Sequence, residues 1–350
     1  MGRGPDVCAR LEAAGFKTFP AGMGTAERAA DFGRLFAEAR LLAPEQRPDY
    51  MFPAFFGESC PPAMLRDLLP TVDHWRPALI VRDASEFASP LAAALAGVPH
   101  VTHAFGALIL EHRVAAAATA VAPLWRSYGL EPKPYGGSYD HLYLDIYPPS
   151  MRVGSYDHVP HVQSLRPVPF DAVDGDAVEP VIAGARPLVY LTFGTVFNEA
   201  DLFAAALAGV ARLDVDVLVT VGPQADPALL GPVPPNVRVE RYVPQTVVLP
   251  DCAVVASHAG SGTFLASLGL GIPQLCLPQA ADQFINSGQG AAAGAALTLA
   301  PSEASADAIT DAVGRLLHEP AFTEAACRVR DEIACMPGPD EVASVLEALC

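Results

Sequence analysis

From residue 188 onward the chain repeats one pattern: a short run of continuous apolar residues, a turn, then a helix-length segment. The runs 188–194 (LVYLTFG), 216–222 (DVLVTVG), 237–243 (VRVERYV), 253–258 (AVVASH), 274–278 (QLCLP) and 296–300 (ALTLA) read as strands. Helices open near Asn198, Thr263 and Asp282, and three helical segments close the chain. Strands that are apolar on both faces need helices on both sides of the sheet, so the alternation predicts a parallel, doubly wound α/β domain.

The first half follows the same logic less regularly. Residues 78–82 (ALIVR) and 98–103 (VPHVTH) read as strands, with a helix over 89–96 that stops at Gly97. The Ala run at 115–118 reads as a tightly packed helix, and 160–180, rich in Pro, Asp and Val without a period, as a linker. A length of 350 residues suffices for two domains, expected at 1–170 and 171–350, with the last helix crossing back onto the first.

Composition narrows the function. Hydrophobic residues make up 51% and charged ones 17%, so the chain packs a core. A net charge of -17 argues against a nucleic-acid partner, because phosphate backbones need basic faces. The seven cysteines are scattered with no C-x-x-C pair, which argues against a disulfide framework or a zinc site. With no apolar run of roughly 18 residues and no hydrophobic signal core, the expectation is a cytoplasmic protein without a membrane span.

Chemistry concentrates between residues 241 and 290. A strand ends at His258, and the turn Ala259–Gly260–Ser261–Gly262 opens a helix near Thr263. Free N–H groups and the positive dipole end at a helix N-terminus favour a phosphate, and glycines let it approach the backbone. Ser261 and Thr263 add hydroxyls, and His258 adds an imidazole. Gly-rich strand–helix turns also occur where nothing binds, and this one is neither a P-loop nor a G-x-G-x-x-G.

The order Tyr242-Val243-Pro244-Gln245, His258-x-Gly260-x-Gly262-Thr263, Asp282-Gln283 and Asn286 resembles the donor-binding signature of family 1 glycosyltransferases, more narrowly their bacterial natural-product members. Segments 76–103, 142–151 and 165–171 are similar to the N-terminal half of the same enzymes. The resemblance implies a GT-B fold: two Rossmann-like domains facing each other across a cleft. It implies inverting transfer of a sugar from a nucleoside diphosphate to a hydroxyl of a secondary-metabolite aglycone, as in antibiotic biosynthesis. Tyr242 would stack on the nucleobase, and the Val243 backbone would pair with its edge. Gln245 belongs to the same motif. His258, Gly260, Ser261, Gly262 and Thr263 would hold the diphosphate. Asp282 and Gln283 would bind sugar hydroxyls, and Thr195 would face the phosphates. Asp83 resembles the acid that orients the family's catalytic His. Without the resemblance, Tyr242 also reads as a core aromatic, Asp282 as an N-cap, Thr195 as a turn filler and Asp83 as a turn residue.

Two departures shape the expectation. Many relatives carry a Glu where this chain has Ala266, and losing a ribose-gripping carboxylate suits a thymidine-diphosphate deoxysugar donor rather than a uridine one. The chain opens at GPDVCARLEAAGF, which resembles the region just after the family's first strand–helix unit. None of its nine histidines sits in a loop like that family's Gly-His-x-x-Pro. The expectation is a start assigned too far downstream, with an inactive donor-binding homologue or a different base as alternatives. Another GT-B enzyme, such as a sugar-nucleotide epimerase, is a further one. No metal or other cofactor is expected, since no D-x-D cluster accompanies the turn. The aromatics of 50–69 (YMFPAFFGESCPPAMLRDLL), with Phe105, Trp125 and Tyr128, suit a flat apolar acceptor and equally a core. Oligomeric state stays open, a homodimer included.

Overall fold

The computed structural model describes residues 2–3, 5–43, 46–170, 186–193, 200–222, 226–280 and 282–350. The chain separates into two compact units, one made of Met1–Ile146, Val153–Leu165 and Pro337–Cys350, the other of Tyr147–Arg152 and Arg166–Met336.

The first unit opens with a two-stranded parallel sheet, β1 (Gly2–Arg3) and β2 (Phe19–Pro20), around helix α1 (Pro5–Ala13). Helices α2 (Thr25–Ala39) and α3 (Arg47–Phe52) follow, and α3 runs through a π-helical stretch, Pro53–Ser59, into α4 (Cys60–Trp75). A four-stranded parallel sheet then forms in simple sequence order: β3 (Ile80–Asp83), β4 (His100–His103), β5 (Leu142–Asp145) and β6 (Val162–Ser164). Helix α5 (Ser89–Ala96) joins β3 to β4, and α6 (Glu111–Ser127) joins β4 to β5. Glu86 starts α5 by accepting the Ala88 and Ser89 N–H groups at 2.6 and 2.9 Å, a carboxylate placed at the positive dipole end. Gly97 ends it with φ 69°, a left-handed C-cap that a side chain would resist.

Both faces of this sheet are covered. Leu65, Phe87, Leu91, Ala117, Val121, Trp125 and Tyr143 form a core on one face, whereas Val101, Leu144 and Leu165 pack with Val342 of the last helix (Pro339–Glu347). β6 corrects the reading of 160–180 as a linker. Residues 162–164 have no period of their own, but the exposed edge of β5 supplies partners: Tyr143 N–H donates to His161 O at 2.9 Å and Leu165 N–H to Asp145 O at 2.8 Å. Residues 171–185 lie outside the described residues.

The second unit is a six-stranded all-parallel sheet. Its strands are β7 (Leu188–Thr192), β8 (Asp216–Thr220), β9 (Val237–Glu240), β10 (Cys252–Ser257), β11 (Gln274–Cys276) and β12 (Ala296–Thr298), in the order β12-β11-β10-β7-β8-β9. Its helices are α7 (Ala200–Val210), α8 (Gln245–Val248), α9 (Ser261–Gly269), α10 (Gln283–Ala292), α11 (Ala306–His318) and α12 (Pro320–Cys335). Alternate residues of β7 go to opposite cores. Val189 and Leu191 pack with Ala206, Ile309 and Val313, while Leu188 and Tyr190 pack with Val248, Ala266 and Ile272. Continuous apolar strands are therefore required, as the sequence implies. Strand order reverses between β7 and β10, and in such sheets the crevice beyond the carboxyl ends of the reversing strands is where ligands bind.

Candidate functional site

β10 delivers its last residues to that reversal point. Beyond Ser257 the chain turns through His258 and Ala259, and Gly260 becomes the N-cap of α9 without any side-chain cap bond. The first N–H groups of α9 are thus not capped from within the helix. Ala259 has φ 61°, the left-handed region where a non-glycine residue is strained. Neighbours hold it there: its N–H donates to Ser257 Oγ at 3.0 Å, and its carbonyl accepts from Asn286 Nδ2 at 2.9 Å. Gly262, at the second helical position, has nothing within 4 Å of where a Cβ would sit.

Burial pushes the His258 imidazole below its ordinary pKa, against opposing contributions from the Asp282 carboxylate and the Thr192 backbone. The ring is therefore neutral near pH 7 and carries a single N–H. Its Nδ1 is buried and has no hydrogen-bond partner among the described residues.

Around the turn the side chains interlock. Asp282 occupies the N-cap position of α10, yet its carboxylate does not cap that helix. Its Oδ2 instead accepts from Ser261 Oγ at 2.5 Å and from Asn286 Nδ2 at 3.2 Å. The Ser261 hydroxyl proton is thereby directed to Asp282. Thr263 Oγ1 accepts from Gln245 Nε2 at 2.7 Å, joining α8 to the start of α9. Gln283 Oε1 accepts the backbone N–H groups of Gln279 and Ala280 at 2.7 and 2.9 Å, so it fixes the loop after β11. Tyr242 is half-exposed beyond β9, whereas the Val243 side chain is buried in the core and offers only backbone. Ala266 packs into that same core. Thr195 lies outside the described residues.

The first unit carries its own cavity of about 660 Å³, lined by Phe19, Met23, Phe56, Met64, Asp83 and Phe105 among others. Asp83 ends β3 and accepts from Ser85 N–H and Oγ at 2.8 and 2.5 Å, a local turn at the cavity wall. Of the aromatics singled out in the sequence, Phe56 and Phe105 reach this cavity, whereas Trp125 is 1% exposed in the core. Among the described residues no three His, Cys, Asp or Glu side chains group as metal ligands, and no helix is long and apolar enough to cross a membrane.

Two family models match: the C-terminal domain of erythromycin biosynthesis protein CIII-like proteins over residues 204–349, and their N-terminal domain over 49–181. The chain belongs to this glycosyltransferase family. The elloramycin glycosyltransferase ElmGT of Streptomyces olivaceus is 34% identical over 321 residues, covering 84% of this chain and 78% of that protein. The aclacinomycin-T 2-deoxy-L-fucose transferase of Streptomyces galilaeus is 31% identical over 353 residues, covering 89% and 78%. Among solved structures, the spinosyn rhamnosyltransferase SpnG complexed with thymidine diphosphate is 26% identical, with a TM-score of 0.79 over 98% of this chain and 90% of that one. The GT-B class expected from the motifs is the class of this chain: an α/β glycosyltransferase whose two larger sheets are parallel.

In this glycosyltransferase the fold gathers His258, Gly260, Ser261, Gly262, Thr263, Gln245 and Asp282 around one helix end. Asn286 was given no role from sequence. It lies four residues after Asp282 on α10, the spacing that puts two side chains on one helix face, so the signal was present. Tyr147, which donates to Asn286 Oδ1 at 3.0 Å from 139 positions away, left no local signal.

Proposed function

We propose that this glycosyltransferase moves a sugar from a thymidine-diphosphate donor to a hydroxyl of an apolar secondary-metabolite acceptor, with inversion at the anomeric carbon. The observation that carries the reading is the uncapped N-terminus of α9 beside the His258 imidazole, at the strand-order reversal. The diphosphate lies on the N–H groups at positions 261–263, with Gly260 and Gly262 allowing close approach. As the anomeric C–O bond breaks, charge develops on the departing phosphate oxygen. Fixed dipoles at the α9 N-terminus stabilise it without reorganising, and the negative charge favours protonation of the adjacent His258 ring, which gives it a second N–H to donate. Tyr242 offers a half-exposed ring to the base and Val243 its backbone. Asp282 uses Oδ2 for Ser261 and Asn286, and among the described residues Oδ1 is left for a sugar hydroxyl.

The acceptor occupies the cavity lined by Phe56, Met64 and Phe105. Its hydroxyl oxygen forms the new bond to the anomeric carbon as the bond to the departing phosphate oxygen breaks, and its proton passes through solvent to the released diphosphate; Asp83 stands at the wall of the acceptor cavity. Thymidine rather than uridine is supported by Ala266, which presents no carboxylate toward a ribose, and by the thymidine diphosphate held by SpnG. No metal or other cofactor takes part in the reading.

Calorimetry with thymidine diphosphate (TDP) and UDP, on the chain and on His258→Ala, tests it. TDP binds more tightly than UDP, and the substitution weakens TDP by roughly tenfold, the worth of one hydrogen bond to a charged group. Unchanged TDP affinity in His258→Ala, or a clear preference for UDP, defeats the assignment. TDP binding without turnover of any TDP-sugar with any acceptor would favour a donor-binding homologue, and sugar-nucleotide conversion without acceptor an epimerase.

A further inference from the structure

We infer that Asn286 is a positioning residue that holds the diphosphate turn in its strained conformation; the inference rests on reading the α9 N-terminus as the diphosphate site. Asn286 is fully buried, and its one carboxamide touches four groups. Nδ2 donates to the Ala259 carbonyl at 2.9 Å, to Ser261 Oγ at 3.0 Å and to Asp282 Oδ2 at 3.2 Å. Oδ1 accepts from the Tyr147 hydroxyl at 3.0 Å. The orientation of the amide follows from chemistry, since a carbonyl and a carboxylate can only accept.

The decisive contact is the one to Ala259. With φ 61° this residue pays a strain that persists only where neighbours over-determine the conformation. Asn286 supplies that determination by tying down the Ala259 carbonyl, while Ser257 Oγ holds its N–H. If Ala259 relaxed to negative φ, Gly260 would swing away and the first N–H groups of α9 would no longer converge with the His258 ring. The same amide fixes Ser261 and Asp282 relative to that turn, so one side chain aligns the diphosphate cradle and the carboxylate assigned to the sugar. Tyr147 in turn locks the amide plane.

The test uses the left-handed freedom of glycine. TDP affinity is measured calorimetrically on the full chain for Asn286→Ala, for Tyr147→Phe and for Asn286→Ala combined with Ala259→Gly, each with a melting curve. Asn286→Ala should weaken TDP about tenfold, because the strain it balances is of that order. Tyr147→Phe, which removes only one hydroxyl, should weaken it about threefold. Adding Ala259→Gly to Asn286→Ala should recover most of the lost affinity, since glycine adopts positive φ unaided. A purely structural Asn286 would lower the melting temperature without any such rescue. Affinity unchanged in Asn286→Ala and in Tyr147→Phe, or lost affinity that Ala259→Gly does not recover, overturns the inference. Failure of the unsubstituted chain to bind TDP would refute the diphosphate site itself, and is read separately.

Discussion

Gly260 lies so close to the His258 ring that a Cβ on it would sit 2.5 Å from Nε2 and 3.1 Å from Cε1. The two residues are two positions apart, with the strained Ala259 between them, so the imidazole is pressed directly against the N-cap of α9. A side chain at 260 cannot coexist with the ring where it stands. It must displace the ring.

Gly260→Ala should therefore weaken TDP binding by about tenfold or more, by moving both the imidazole donor and the first helical N–H groups. The melting temperature should change less than for a core truncation. Calorimetry paired with a melting curve checks this, and full retention of TDP affinity would show that the ring does not contact the diphosphate.

Asp282→Asn separates sugar from nucleotide. The amide keeps the shape but replaces one carboxylate oxygen, so TDP affinity should stay within about threefold while turnover of TDP-sugars falls roughly tenfold or more. Steady-state kinetics beside TDP calorimetry gives both numbers. A parallel loss of the two would mean that Asp282 acts only through Ser261.

Met64→Trp places a large ring in the cavity of the first unit. The acceptor KM should rise about tenfold while the TDP dissociation constant holds, because the residue lies in the other unit from the α9 turn. An unaltered acceptor KM would move the acceptor elsewhere.

His100 makes a prediction about pH. It is 2% exposed, and its Nε2 lies 2.8 Å from the Gly137 carbonyl. Burial first, then the charge of Arg82, lowers its pKa to about 4. In the unfolded chain the ring takes up its proton near pH 6.5; in the folded chain it does so only near pH 4. Between these values the unfolded state binds more protons, so stability falls as the pH drops, by roughly 3 kcal/mol over the whole window. His100→Gln keeps a donor for Gly137 and does not titrate. Its urea-unfolding free energy should lose less between pH 7 and pH 4 than that of the unsubstituted chain, and equal losses would exclude His100 as the source.

Addition of a chelator such as EDTA should leave transferase activity unchanged, since no step of the proposed reaction needs a cation. Activity restored only by a divalent metal would contradict this.

Much of the fold can be read along the sequence because the strands of the second unit are buried on both faces and announce themselves as unbroken apolar runs. Gly97 marks the end of α5 for an equally local reason, as only the left-handed region closes that helix economically. β6 was hidden. Three residues beside prolines carry no pattern, and the strand exists because β5 offers an open edge. The candidate site shows the same division. Gly260, Ser261 and Thr263 follow from the strand–turn–helix grammar. That the Ser261 proton goes to Asp282, that Gln283 spends its carbonyl on the loop at 279–280, and that Tyr147 secures Asn286 are all products of distant segments meeting.

The first unit is not a contiguous stretch: it comprises Met1–Ile146, Val153–Leu165 and Pro337–Cys350. Grafting this first unit onto the second unit of a relative at a single junction would therefore leave Val101, Leu144 and Leu165 beneath a foreign terminal helix. A working hybrid has to carry the matching C-terminal segment along with its N-terminal half, or redesign the surface that Val342 covers.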